Sequence, residues 1–225
     1  MSVNLFNANF YRAANPDLAS FNDAQAFAHL LASGLDEGRA FSPFVDLKYY
    51  RAANSDLASL TNQQLFNHLE TSGVAEDRQF SPLVDLDFYK AANSDLAKLT
   101  NEQLFNHLET SGVAEGRRFS PFVDLNFYKA ANGDLASLNY NQELQHLETY
   151  GLNEGRRFSP FVDLRLYQAA SPDLAALSLN NTQLLDQLAN SGVNEGRRLS
   201  ISFDPNYYHN TYSDLAAAGF NGKQL

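Results

Sequence analysis

The sequence predicts an all-α protein of tandem helical repeats stacked as an α-solenoid. The first observation behind this prediction is a motif of the type F-V-D-L that returns every 39 residues, so that repeats open at Leu5, Phe44, Leu83, Phe122 and Phe161. The second is that helix-capping residues and glycines return with the same period. The third is that no segment alternates apolar and polar residues as a strand would.

The repeats follow one another without a linker, which predicts one array over residues 1–225. We place the repeats at approximately 5–43, 44–82, 83–121, 122–160 and 161–201, with a shortened sixth repeat at 202–225 and a two-residue insertion near 178–181. One repeat is too small to bury its apolar face alone, so stacked neighbours are expected to share a core. The alternative is a compact multi-helix bundle in which distant repeats fold back on each other.

Each repeat is expected to open with a capped first helix. Asp204 stands before Pro205, which is the N-cap and N1 pair of a helix, and the other repeats hold Asn7, Asp46, Asp85, Asp124 or Asp163 at the capping position. Asparagine caps as well as aspartate does, so the exception indicates a structural role. The helix then carries an aromatic pair whose second member is always tyrosine, which can bury its ring while its hydroxyl finds a partner.

The rest of the repeat is predicted to contain a short helical segment and a longer second helix. Pro16 and Pro172 disfavour helix in the preceding residue and so end the first helix. The second helix is expected to open at Asp23, Thr61, Thr100 or Asn139. It is expected to close at a C′ glycine of a Schellman ending, at Gly34, Gly73, Gly112, Gly151 or Gly192.

Composition excludes several classes of partner and site. The chain has 26 acidic and 16 basic residues, a net charge of −10, which predicts no nucleic acid partner. It has no cysteine, which excludes disulfides and thiolate metal sites. No segment approaches the roughly 18 apolar residues of a spanning helix, so no membrane insertion is expected. The start of the chain lacks a classical signal peptide, which leaves both a cytoplasmic location and secretion to the cell surface by a non-classical route open.

Histidine recurs at His29, His68, His107 and His146, which raises the question of a metal or acid-base site. Each repeat offers only one histidine, and the fifth repeat holds Gln187 instead. Glutamine hydrogen-bonds with similar reach but cannot act as an acid or base. We therefore interpret these histidines as structural.

An E-G-R element recurs in four repeats and reads Glu76-Asp77-Arg78 in the second. Because aspartate tolerates a positive φ better than most residues, the exception supports a tight turn. The arginine and the acid of N-P-D-L both recur. We expect each arginine to form a bidentate bond with a carboxylate or with carbonyls of its own or the next repeat, as a polar ladder along the stack, with Asp56 and Glu76 as the candidate partners of Arg78.

No catalytic, cofactor-binding or metal-binding residues are assigned. Repeated acids suit calcium, but no EF-hand loop or calcium β-roll motif is present. The repeated serines, all but Ser200, precede proline and indicate turns, without a nucleophile context. If an activity exists, we expect it at positions that break the repeat: Asp77, Tyr140, Glu143, Tyr150 or residues 178–181.

The segments 203–220, FDPNYYHNTYSDLAAAGF, and 146–156, HLETYGLNEGR, resemble a family of tandem repeats of cyanobacterial and other bacterial proteins. The resemblance covers essentially the whole chain, although most repeats here read V-D-L instead of F-D-P. In that family the repeats accompany surface or secreted modules, including hemolysin-type calcium-binding segments and glycosyltransferases. The resemblance implies a surface location and no catalytic role.

The leading functional hypothesis is a non-catalytic repeat scaffold that binds a protein or polysaccharide or assembles with itself. Solenoids need polar end repeats for solubility, whereas both ends of this array are apolar, so we expect head-to-tail association into a homo-oligomer. A calcium-stabilised surface adhesion module is one alternative. A fragment of a larger enzyme is another.

Overall fold

A computed structural model describes residues 2–212 and Asp214, and every regular element in this part of the chain is helical. This confirms the all-α prediction. The α-helices are α1 Ala8–Ala14, α2 Asp23–His29, α3 Leu47–Ala53, α4 Asn62–His68, α5 Leu86–Ala92, α6 Asn101–His107, α7 Leu125–Ala131, α8 Tyr140–His146, α9 Leu164–Ala169, α10 Pro172–Ala175, α11 Asn181–Gln187 and α12 Pro205–Thr211.

The predicted N-caps of the first helices are confirmed. In each case the side-chain oxygen of the capping residue accepts a hydrogen bond from a backbone N–H in the first turn, at Asn7, Asp46, Asp85, Asp124, Asp163 and Asp204. The N-P-D-L segment that follows is a 3-10 turn in four repeats, Pro16–Leu18, Ser55–Leu57, Ser94–Leu96 and Gly133–Leu135, and is α10 in the fifth.

The second helices begin with capping boxes. In α4, Thr61 accepts from the backbone N–H of Gln64, whose side chain in turn accepts from the backbone N–H of Thr61. Helix α2 begins at Asp23 as predicted, and its N-cap is Asn22, which forms a capping box with Gln25. Asp23 is the first helical residue, where its charge favours the helix dipole.

The predicted Schellman ending of the second helix was wrong. Each second helix widens into a π-helical turn, Leu30–Gly34, Leu69–Gly73, Leu108–Gly112, Leu147–Gly151 or Leu188–Gly192. In the turn after α4, Val74 N–H bonds to Leu69 O, and Val74 keeps right-handed helical angles. The left-handed residue comes later, at the E-G-R element, with a φ of 66° at Gly38 and 59° at Asp77. Gly73 is required for a different reason, which is a close approach by tyrosine.

The start and the end of each repeat meet. Asp46 N–H donates to Phe80 O in the second repeat, and Asp85 N–H donates to Phe119 O in the third. Beside this contact, Asn54 donates to Gln79 O at 2.9 Å. The repeated serines form the predicted turns, since Ser81 Oγ accepts from Leu83 N–H at 3.1 Å.

The described residues divide into two compact units, drawn from Met1–Ser120 with Asn139–Thr149 and from Pro121–Leu138 with Tyr150–Leu225. In the first unit, consecutive repeats share polar and aromatic contacts. Asn62 donates to Leu35 O at 2.6 Å, and the Phe41 and Phe66 rings pack edge to face. In the second unit, Asn181 donates to Leu152 O at 2.7 Å.

The sixth repeat is described through Tyr212 and at Asp214, so most of its predicted second half, residue 213 and residues 215–225, lies outside the described residues. Over the part of the chain that the structure does describe, none of the helices has the length and apolar character needed to cross a bilayer.

Candidate functional site

The repeated arginines bind the predicted carboxylates within their own repeats, and we call this recurring set of ion pairs the ladder. Arg117 Nη1 donates to both carboxylate oxygens of Asp95 at 2.8 Å, and its Nε donates to Glu115 at 2.5 Å. The same three-residue arrangement joins Arg39 to Asp17 and Glu37, Arg78 to Asp56 and Glu76, Arg156 to Asp134 and Glu154, and Arg197 to Asp173 and Glu195. All partners lie in the arginine's own repeat.

The ladder shifts the pKa of its members in the directions expected for ion pairs. The hydrogen bond from Arg117 lowers the pKa of Asp95, and the hydrogen bonds from Asp95 and Glu115 raise the pKa of Arg117. The aspartates are more than half exposed while the arginines are about one quarter exposed. These charged side chains therefore form ion pairs with one another, and the ion pairs hold the E-G-R turn against the N-P-D-L segment.

In the first three repeats the histidine lies within hydrogen-bond distance of the tyrosine of the first helix. In the second repeat 2.7 Å separates Tyr50 Oη from His68 Nδ1, and the pairs Tyr11 with His29 and Tyr89 with His107 have the same geometry. In the fifth repeat the Tyr167 hydroxyl donates to the side-chain oxygen of Gln187. Burial raises the pKa of Tyr50 and of Tyr89 to about 12, which keeps both hydroxyls protonated. In the fifth repeat glutamine takes the place of histidine and keeps the hydrogen bond to tyrosine, which supports a structural role for these histidines.

The glycine that ends the π-helical turn lies against this tyrosine hydroxyl. A side-chain carbon added at Gly73 would collide with the Tyr50 hydroxyl, and the same holds for Gly34 with Tyr11 and Gly112 with Tyr89. The tyrosine, histidine and glycine therefore form one packed group in each of these repeats.

The second E-G-R turn departs from the others by placing two carboxylates together. Asp77 takes the position of the turn glycine, and Asn101 donates to its Oδ1 at 3.1 Å. Partial desolvation, followed by the nearby charge of Asp87, raises the pKa of Asp77 to about 6. Asn206 and Arg165 hold the repeat position of Asp87 beside the E-G-R turns of the fifth and fourth repeats. Asn206 donates to Gly196 O, and Arg165 lies close to Gly155.

A cleft of about 230 Å³ lies within the first compact unit. We call it the amide cleft, because its polar lining is Asn7, Asn9, Asn141 and Gln145 together with Glu109, and its apolar lining is Phe10, Pro43, Phe44 and Leu144. These residues come from the first, third and fourth repeats and from the junction of the first two. This cleft is not predictable from the repeated motifs, since no repeat contains its lining by itself.

Burial raises the pKa of Glu109 to about 7. Within the described residues, the side chains of Glu109, Asn141 and Gln145 take part in no hydrogen bond or ion pair. The lining contains no basic side chain. A cleft with convergent polar groups and a perturbed carboxyl group is the usual form of a small-molecule site.

Comparison of the chain with protein-family models, curated proteins and solved structures finds no match. The resemblance to bacterial tandem repeats stays a prediction. So does the absence of catalytic, cofactor-binding and metal-binding residues.

The other positions that break the repeat differ in their surroundings. Glu143 is fully buried, Tyr140 packs against Gly116, and Tyr150 is exposed. Ser178 in the insertion has a φ of 50°. Among residues 2–212 and Asp214, no three histidine, aspartate or glutamate side chains come together as a metal site would require.

Proposed function

We propose that the chain is a non-catalytic repeat scaffold whose surface binds a protein or a polysaccharide. The observation that carries this proposal is the commitment of the repeated charged and aromatic groups to bonds inside their own repeats, as in the ladder of Arg117, Asp95 and Glu115. Groups used in this way hold a framework, and they are not poised to act on a substrate. The protein or polysaccharide then binds to the surfaces between these groups.

The scaffold proposal includes stacking of the repeats as an α-solenoid. Its support is that consecutive repeats contact each other through the same positions, as Asn62 with Leu35 in the first unit and Asn181 with Leu152 in the second. Such nearest-neighbour contacts are typical of solenoids. The amide cleft also joins the first repeat to the third and fourth, which is the kind of contact that the compact-bundle alternative predicts. Small-angle scattering tests this part, and a profile of a compact sphere would contradict it.

The test of binding uses the intact chain on a glycan array and in a pull-down from bacterial lysate and surface extract. We expect a ligand that the folded chain retains and the urea-unfolded chain does not. Failure of both assays to retain any ligand would contradict the proposal. The calcium alternative stays a prediction, and equal melting midpoints with and without calcium would count against it.

Self-association is a second candidate because apolar side chains are exposed at both ends of the described chain. Phe27 and Leu31 are 41% and 42% exposed, whereas Phe66, which holds the position of Phe27 in the second repeat, is 3% exposed. At the other end Tyr208 is 36% exposed, although Tyr50 at the same repeat position is fully buried. Exposed apolar patches of this kind mark interaction surfaces.

A further inference from the structure

We infer that the amide cleft binds a neutral, hydroxyl-rich ligand of the size of a sugar ring. This inference rests on the proposed binding function and names its ligand class. It begins from the unused hydrogen-bonding capacity of the lining, since the Glu109 carboxyl group and the Asn141 and Gln145 amides have no partner among the described residues.

The first repeat supplies oriented donors to the same cleft. Asn7 Oδ1 accepts from Phe10 N–H, and Asn9 Oδ1 accepts from Arg12. Because each of these oxygens is engaged, the NH₂ groups of the two amides are left to donate. The cleft thus offers fixed donors from the first repeat and groups that both donate and accept from the fourth.

This combination matches hydroxyl groups, which also donate and accept. Sugars present several hydroxyls around a ring whose C–H groups can pack on an apolar floor, here Phe10, Phe44 and Leu144. No basic side chain lines the cleft, which disfavours an anionic ligand. Glu109 is partly protonated near neutral pH, because burial raises its pKa to about 7, so it does not require a cationic ligand.

The amide cleft lies where different repeats meet, and this position supports a ligand-binding site. The ladder and the tyrosine–histidine pairs recur from repeat to repeat, but the amide cleft combines side chains of the first, third and fourth repeats with Phe44 of the second. Repeated groups serve the framework, and a site with a single combination of side chains can be selective.

The experiment is saturation-transfer difference NMR on the full chain with D-glucose, D-galactose and D-mannose, and with D-glucosamine as the cationic counterpart of D-glucose. We expect signal transfer to at least one neutral sugar. Asn141→Ala should weaken that binding about five- to tenfold, because a desolvated hydrogen bond is lost. Asn141 is exposed and bonded to no other side chain, so this variant is expected to fold.

Variants of Glu109 separate a neutral ligand from a cationic one. Glu109→Gln keeps a donor and an acceptor and should retain neutral-sugar binding within about threefold, whereas Glu109→Ala should weaken it about five- to tenfold. Glu70→Ala is the matched control, since Glu70 holds the same repeat position outside the cleft, and it should leave binding unchanged. Melting curves of each variant verify folding.

Three results would overturn the inference. The first is no transfer to any neutral sugar, and the second is sugar binding that Asn141→Ala leaves unchanged. The third is binding of D-glucosamine alone that Glu109→Gln abolishes. A glycan or protein retained by the intact chain in the array or pull-down, together with any of these results, would leave the scaffold proposal standing and remove the cleft from it.

Discussion

At the scale of the residue, Tyr50 combines a fully buried ring with a hydroxyl 2.7 Å from His68 Nδ1. Tyr50→Phe keeps most of the ring packing but leaves the buried side of His68 without its partner. We expect the free energy of unfolding to fall by about 1–3 kcal/mol, measured by urea denaturation. Tyr207→Phe is the control, because Tyr207 is 71% exposed, and it should change little.

Two variants of His68 test the same hydrogen bond from the other side. His68→Gln copies the fifth repeat, in which Gln187 accepts from Tyr167, and should keep most of the stability that His68→Ala loses. Equal losses in the two variants would show that the hydrogen bond is not what the histidine contributes.

Asp77 is predicted to make stability depend on pH. Partial desolvation and the neighbouring Asp87 raise its pKa to about 6, with Asp85 opposing its ionisation and Lys90 favouring it. A carboxyl group with a raised folded-state pKa costs nothing below its unfolded pKa of about 4, and its cost grows as the pH rises to 6. Asp77→Asn should therefore raise the melting midpoint at pH 7.

The gain at pH 7 should amount to less than about 1 kcal/mol, because solvent screens an open carboxyl pair. At pH 4 the variant and the parent should melt alike, which distinguishes the charge from the backbone conformation. Asp36→Asn, an exposed aspartate without a bonded partner among the described residues, is the control at both pH values. A gain that is equal at pH 4 and pH 7 would contradict the electrostatic explanation.

At the scale of the element, the π-helical turn ends on a glycine that has no space for a side chain. Gly73→Ala would press a methyl group against the Tyr50 hydroxyl, and we expect a loss of about 1–3 kcal/mol by thermal or urea unfolding. Gly133→Ala is the matched control, since no atom lies within 4 Å of its added carbon, and it should be neutral or stabilising.

A double variant, Gly73→Ala with Tyr50→Phe, should be less unstable than the sum of the two single variants, because the hydroxyl that collides is gone. Strict additivity would argue that Gly73 matters for backbone conformation and not for this contact.

The arginine ladder is predicted to need arginine and not merely a positive charge. Arg117 reaches Asp95 through one nitrogen and Glu115 through another, while the single ammonium group of lysine cannot hold both acids in this geometry. Arg117→Lys should lower stability by about 0.5 kcal/mol, within the range of exposed ion pairs. The measured difference should shrink at high salt; an unchanged melting midpoint would contradict the ladder's role.

The order of elements in each repeat was predictable from its capping and turn residues. Asp46 caps α3 because its own carboxylate reaches the first turn, and Asp77 signals a turn by replacing glycine. The π-helical turn did not follow, because Gly73 depends on Tyr50, which lies 23 positions earlier in the sequence. A glycine after a helix favours a Schellman ending until a distant side chain occupies the space beside it.

At the scale of the whole molecule, the ladder was predictable and the amide cleft was not. Arg78 and its partners recur with the repeat, so their pairing could be deduced from spacing. Glu109 looked like any other residue of its helix, and Asn141 and Gln145 like variable surface positions. They meet only after the third and fourth repeats have folded together beside the first, and that geometry is not encoded in the period of 39 residues.

Self-association is predicted from apolar side chains that are exposed in both compact units. Phe27 and Leu31 are exposed in the first unit, and Tyr207, Tyr208 and Tyr212 are exposed in the second. These are different surfaces, so a contact between them on two copies would be head to tail and would extend with concentration. We expect the average mass from light scattering to rise with concentration. Leu31→Glu should reduce this rise, because it restores the glutamate found at the same position as Glu70 and Glu109.

The control is Leu177→Glu, which adds the same charge at another exposed leucine, 61% accessible, outside the two apolar surfaces. If both variants reduce the mass equally, general charge repulsion and not the surface around Phe27 would explain the effect. A monomer mass that stays constant at every concentration would count against head-to-tail association. A rise that only Leu31→Glu suppresses would assign the contact to the first repeat, because only that variant changes a side chain beside Phe27.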